Sequence, residues 1–194
     1  MNKAILIFGS NSVIVRDFIR LSLKKGINIV GVSKTKNKFF SKSKKFHFIK
    51  HDILKNDYKN LLKKINKNFD IKSIIYAIGG SLNKKNIFES KKNWNLVWEY
   101  NFGYTIELNN YFLKKFKKDK FGRILYFSST ITNNKNGPVA YSASKKMIED
   151  YVVKMGNNFA ENNIYINAIL TSIVSGKGNN WGKFETKNYP LKKK

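Results

Sequence analysis

Cysteine is missing from the whole 194-residue chain, which excludes disulfides and thiolate metal sites. Acidic residues are scarce, 12 Asp and Glu against 38 Lys and Arg, so the net charge is +26. Arginine is scarcer still, with Arg16, Arg20 and Arg123 the whole complement. Excess positive charge raises nucleic acid or an anionic membrane as partners, because clustered cations release counterions from phosphates. The pattern here argues against both. Phosphate-binding surfaces draw on arginine as well as lysine, and these lysines are spread along the chain (Lys24, Lys63, Lys117, Lys154) among many Asn, Ile and Phe, as the codon bias of an AT-rich genome produces. No apolar run approaches the ~18 residues that cross a bilayer, and the apolar core of "MNKAILIFGS" is too short for a signal peptide. The two histidines, His47 and His51, have no partner at a metal-ligand spacing, so no metal site is expected. The expectation is a cytoplasmic protein without a membrane or nucleic-acid partner, long enough for one domain with a proper core.

What the chain does have is a regular alternation. Short apolar runs rich in β-branched and aromatic residues recur at 4–8, 28–33, 46–49, 73–78, 123–128 and 164–170, and read as buried strands. Segments with helical spacing lie between them, among them 15–25, 57–67, 94–116 and 140–161. Strand alternating with helix implies parallel strands joined by right-handed crossovers, an open α/β sheet with helices on both faces.

The first strand runs into "GSNSVIVRDF". In dinucleotide-binding folds a glycine-rich turn here lets the backbone approach a pyrophosphate, which sits at the helix N-terminus. Gly9 is present, but Val13 and Val15 stand where two more glycines are expected. A β-branched residue resists positive φ, and its methyls occupy room that a phosphate or the packed strand needs.

Tyr141 and Lys145 lie four apart in "PVAYSASKKMIEDYVVKM", on one face of the expected helix. The pattern alone is weak, since about two chance matches are expected in so lysine-rich a chain, and Tyr111/Lys115 and Tyr189/Lys193 also fit. Its surroundings distinguish it. "YSASK" follows "GRILYFSS" through a short polar loop; upstream stand "WNLVWEYN" with Asn101, "YAIGG" after a buried strand, and His51-Asp52 after the third strand. In this order and spacing, residues 3 to about 175 resemble the short-chain dehydrogenase/reductase family in its single-domain branch. The resemblance implies a Rossmann-like doubly wound parallel sheet of about six strands in the order 3-2-1-4-5-6, over a domain of residues 1–175, with 176–194 an irregular tail or incomplete substrate lid.

The chemistry explains why these residue types belong together. Reducing a carbonyl with a nicotinamide hydride needs a proton donor on the carbonyl oxygen and a second hydrogen bond to polarise it. A tyrosine hydroxyl serves once a nearby ammonium favours its phenolate. By resemblance Tyr141 is the acid/base, Lys145 lowers its pKa and holds the nicotinamide ribose, a serine at the end of the fifth strand binds the substrate oxygen, and Asn101 completes a water-linked proton relay. Ser129 takes the family position, twelve residues before Tyr141; Ser128 has the more usual spacing of thirteen, but strand alternation turns it to the opposite face. Ser129 is preferred, with Ser128 the alternative.

The cofactor is expected to run over Gly9, Ser10, Ser12 and Ile14 of the first turn, Ser33 and Lys34 after the second strand, Asp52 and Ile53 after the third, Ala77, Ile78 and Gly79 after the fourth, and then Tyr141 and Lys145. The second strand ends without the carboxylate that NAD-preferring sites use for the ribose hydroxyls, and Ser33 and Lys34 suit a 2′-phosphate, so NADP(H) is favoured over NAD(H). The expected substrate is a small alcohol or carbonyl. A homodimer through helices 94–116 and 140–161 is also implied, with Trp98, Tyr104 and Tyr111 as interface candidates or core fillers. Three departures stand against the catalytic reading: the two valines, Thr171-Ser172 in place of the usual Pro-Gly, and a C-terminus about fifty residues short of most relatives, which would leave strand six as an exposed edge. They keep open a second class of function, a non-catalytic binding or subunit-interface module.

Overall fold

In a computed structural model, which describes residues 1–37, 39–55, 57–133 and 137–172, the β-branched runs form six parallel strands. They are β1 (Asn2–Phe8), β2 (Asn28–Ser33), β3 (Phe46–Lys50), β4 (Phe69–Tyr76), β5 (Gly122–Ser129) and β6 (Ile164–Thr171), in the order β3-β2-β1-β4-β5-β6. This is the doubly wound order that the resemblance implied. Leu6, Ile7 and Phe8 of the central β1 are fully buried, as a strand covered on both faces requires.

The helices are α1 (Val13–Lys24), α2 (Tyr58–Asn66), α3 (Lys91–Trp98), α4 (Tyr104–Asp119) and α5 (Val139–Phe159). On one face of the sheet, Leu6, Phe8, Val30 and Ile74 pack with Leu61 of α2, Leu108, Phe112 and Phe116 of α4, and Ile148 and Val152 of α5. On the other face Ile7, Ile29, Phe46 and Ile75 receive Val15 and Ile19 of α1.

Two expectations need correction. The segment 94–116 is not one continuous α-helix, because a π-helical turn, Glu99–Gly103, separates α3 from α4. Strand β4 starts at Phe69 rather than near residue 73: Phe69 and Ile71 point into the core, whereas Asp70 and Lys72 join an ion network with Lys115 and Asp119. The alternation of charge with apolar residues had hidden a half-buried strand start.

Among the described residues β6 pairs with β5 alone, and no helix is long and apolar enough to cross a membrane. The tail 176–194 lies outside the described residues. Tyr104 is no interface residue: it is fully buried against Phe8 and Tyr76, while Trp98 and Tyr111 are exposed.

Candidate active site

The carboxyl ends of the strands, where open α/β sheets receive ligands, gather most of the singled-out residues. Gly9 leaves β1 with φ +79°, and a Cβ there would lie 2.6 Å from the Ala77 carbonyl oxygen. Glycine is required at this point because the turn crosses directly over the end of β4. The Gly9 N–H donates to the Val32 carbonyl and the Ala77 N–H to the Phe8 carbonyl, so the ends of β1, β2 and β4 are laced together.

The valines do not need positive φ. Both lie within α1, and among the described non-glycine residues positive φ occurs only at Leu82, Asn83, Lys120 and Asn163. Val15 is buried in the core between α1 and the sheet, where it fills space as a larger residue, and Val13 is half-buried in the first turn. Ser12, the N-cap of α1, makes no side-chain capping bond, so its hydroxyl and the unpaired N–H groups of the first turn form an anion-accepting end. Ile53 is buried, so it can meet a ligand only through its backbone, whereas Ile14 is half-buried and packs partly against the core.

Serines and asparagines organise the next two strand ends. The Ser10 and Ser33 hydroxyls lie 3.1 Å apart, and the Asn11 N–H donates to Ser33 Oγ at 3.3 Å. Buried Asn37 donates to the Ser10 carbonyl at 3.1 Å and accepts from the N–H groups of Phe39 and Phe40. Lys34, largely exposed, is 3.0 Å from Asp52. That hydrogen bond holds the Asp52 carboxyl below its ordinary pKa.

At the other half of the cleft three residues converge. A Cβ at Gly79 would lie 2.7 Å from Lys145 Nζ and 2.8 Å from Asn101 Oδ1, so these side chains close over the glycine. Asn101, buried in the π-helical turn, accepts from the Gly80 N–H at 2.9 Å and donates to the Gly80 and Val97 carbonyls at 2.9 and 2.8 Å. π-turns are frequent at functional sites because they re-aim a side chain out of the regular ladder. Lys145 is 4% exposed; its ammonium donates to the Phe127 carbonyl at 2.8 Å and lies 5.7 Å from the Tyr141 ring centre. Burial pushes its pKa down to about 8. Tyr141 is half-buried in the first turn of α5.

The two serines separate as alternation predicts. Ser128 is buried and donates to Glu149 Oε1 at 2.8 Å, while Ser129 is half-buried at the strand end, its Oγ accepting from the Ile131 N–H at 3.3 Å. Sequence reasoning missed Asn37, Glu149 and Thr171, whose hydroxyl donates to the Ser128 carbonyl at 3.0 Å. Glu149 stands four residues after Lys145, a spacing that could have drawn notice; Thr171 stands out only as a departure from the Pro-Gly usual after the sixth strand, and Asn37 carries no local signal.

These residues fit a nicotinamide dinucleotide: a glycine turn at a helix N-terminus, hydroxyls at the next strand ends, and a buried ammonium beside a tyrosine across Gly79. Comparison with known proteins agrees. The model of the short chain dehydrogenase family matches residues 3–186. A 3-oxoacyl-[acyl-carrier-protein] reductase, FabG, from Buchnera aphidicola is 26% identical over 184 residues, 89% of this chain and 73% of the relative. A short chain dehydrogenase from Leptospira borgpetersenii with bound NAD+ superposes with a TM-score of 0.77 at 21% identity, covering 91% of this chain and 73% of that one. A variant of ElxO with NADPH bound gives 0.79 at 22% identity, covering 90% and 75%.

Proposed function

Because this chain belongs to the short-chain dehydrogenase family and so to its oxidoreductases, we propose that it interconverts a carbonyl and an alcohol by hydride exchange with NADP(H). The observation that carries this reading is the convergence of Lys145 and Asn101 on Gly79, with Tyr141 one helical turn from Lys145. When bound, the nicotinamide supplies the hydride. Tyr141 donates a proton to the substrate oxygen during reduction and takes it back during oxidation. Lys145 as the ammonium favours the phenolate and binds ribose hydroxyls, and Ser129 donates to the substrate oxygen. Asn101 holds Gly80 and through it the floor of the nicotinamide site.

The remaining cofactor contacts follow the same assignment. Gly9, Ser10, Ser12 and Ile14 receive the pyrophosphate side, Ser33 and Lys34 a 2′-phosphate, Asp52 and Ile53 the adenine, and Ala77, Ile78 and Gly79 the adenosine side and ribose. The preference for NADP(H) is supported by the exposed Lys34 and by the absence of an acid in "VSKTK". A 3-oxoacyl thioester is the first substrate class to test, given the activity named for the Buchnera aphidicola relative.

The decisive experiment has two stages. Calorimetric titration should give micromolar NADPH affinity, weaker for NADH, and weakened for NADPH in Lys34→Ala. Turnover of acetoacetyl-CoA should then fall by about 10³-fold in Tyr141→Phe while the fold is kept. Failure to bind either cofactor would favour the non-catalytic module, a second reading for which Val13, half-buried in the first turn of α1, is the remaining support.

A homodimer through the outer faces of α3–α4 and α5 belongs to the same proposal. Exposed Trp98, Tyr111, Met147 and Val153 support it. Sedimentation should give a dimer that Val153→Glu splits; a wild-type monomer at all concentrations would contradict it.

A further inference from the structure

We propose that Glu149 is a positioning residue, clamping the end of β5 to α5 and so setting Ser129 against Tyr141 and Lys145. The proposal rests on the reading of those three residues given above. Tyr141 and Lys145 share one rigid helix, but Ser129 is the last residue of a strand that runs straight into a turn. Relative placement within about 1 Å governs such chemistry, so a tie between strand end and helix is needed.

Glu149 supplies one from α5. Its Oε1 accepts from the buried Ser128 hydroxyl at 2.8 Å, much closer than the Lys145 carbonyl at 3.3 Å that competes for the same proton. Its Oε2 lies 2.9 Å from the exposed Lys146 ammonium. The Thr132 hydroxyl, in the turn after β5, donates to the Ser129 carbonyl at 2.9 Å. The carboxylate therefore engages the residue immediately before Ser129. Burial works to raise the Glu149 pKa, but the Lys146 ammonium and the nearby Ser128 and Thr132 hydroxyls outweigh it and hold the group below its ordinary range. At neutral pH it is ionised and acts only as an acceptor. Thr171 holds the same strand end from β6; from α5 the Lys145 ammonium reaches the Phe127 carbonyl and the Ser142 hydroxyl the Ile131 carbonyl, and Glu149 is the tie that engages the side chain next to Ser129. The exposed Lys146 pair adds little to the clamp.

The test compares Glu149→Ala and Glu149→Gln in the full chain, by hydrogen exchange across residues 127–133 and by NADPH-dependent reduction of acetoacetyl-CoA. Glu149→Ala is expected to speed exchange in that segment and lower kcat about tenfold or more, with NADPH affinity within about twofold of wild type. Glu149→Gln, whose amide oxygen still accepts from Ser128, should recover most of kcat. Unchanged exchange and kcat in Glu149→Ala would overturn the proposal. So would a joint fall of melting temperature, NADPH affinity and kcat with no recovery in Glu149→Gln, the mark of a merely structural role. A wild-type protein that binds NADPH but reduces no carbonyl, with Tyr141→Phe indistinguishable from it, sinks the functional reading and with it the positioning role. The exchange comparison would still report whether the clamp exists.

Discussion

Lys145 concentrates the conflict between stability and chemistry in one side chain. It is almost wholly buried, and the same desolvation that lowers its pKa to about 8 makes its ammonium costly to fold around. The sign is opposite to that of a lysine gaining a partner. Between about 8 and the unfolded value of 10.5 the unfolded chain holds more protons than the folded one, so stability rises with pH in that window. Below it the penalty is fully present, and above it the penalty is gone. Thermal melts of wild type and Lys145→Met should therefore converge or cross in favour of wild type as pH is raised from 8 to 10.5. A constant difference across the window would show that Lys145 is hydrated.

At the scale of elements, α1 is where family pattern and local packing part company. Val15 does not obstruct the turn; it seals α1 to the sheet with Ile7, Ile19, Ile29 and Phe46. Restoring the family glycine there should cost about 3 kcal/mol, from lost burial plus the flexibility of glycine in a helix. Val13→Gly, at a half-buried first-turn position, should cost about 1 kcal/mol or less and tighten NADPH binding if the valine methyls crowd the pyrophosphate. Chemical denaturation and calorimetry on the two variants separate these effects. Equal losses of stability would refute the difference in packing. The π-helical turn carries a parallel lesson, since Asn101 reaches Gly80 only because the helix changes its pitch there.

Across the whole molecule the dominant electrostatic fact is self-repulsion at +26. The network of Asp70, Lys72, Lys115 and Asp119 works locally against it, tying β4 to α4. Lys115 and Lys72 hold Asp119 below its ordinary pKa; at Asp70 burial acts upward and the same two lysines outweigh it. The stability these carboxylates contribute is present above their unfolded pKa and is lost as pH falls through the lower folded values. One small network cannot balance the global excess, so screening should help more than it harms. Raising NaCl from about 0.05 to about 0.5 M should raise the melting temperature at pH 7, and a fall would mean that specific ion pairs outweigh the repulsion.

Local order determined much of this protein. Strand and helix alternate because apolar spacing switches between periods of two and 3.6, and that alternation carried the doubly wound sheet. Gly9 was legible because a tight turn at a strand end tolerates little else, and Tyr141 with Lys145 through the order of the motifs around them and the family they resemble, since their spacing alone recurs by chance in so lysine-rich a chain. Tertiary structure alone decided the rest. It buried Val15 where a glycine was expected, gave Ser128 to Glu149 and left Ser129 at the strand end, brought Asn101 and Lys145 over Gly79, and tied Asn37 to Ser10. The polar contacts among these join residues far apart in the chain, through atoms that find partners only once the sheet has brought the strand ends together, and the packing of Val15 likewise depends on the neighbouring strands; no local spacing encodes such meetings.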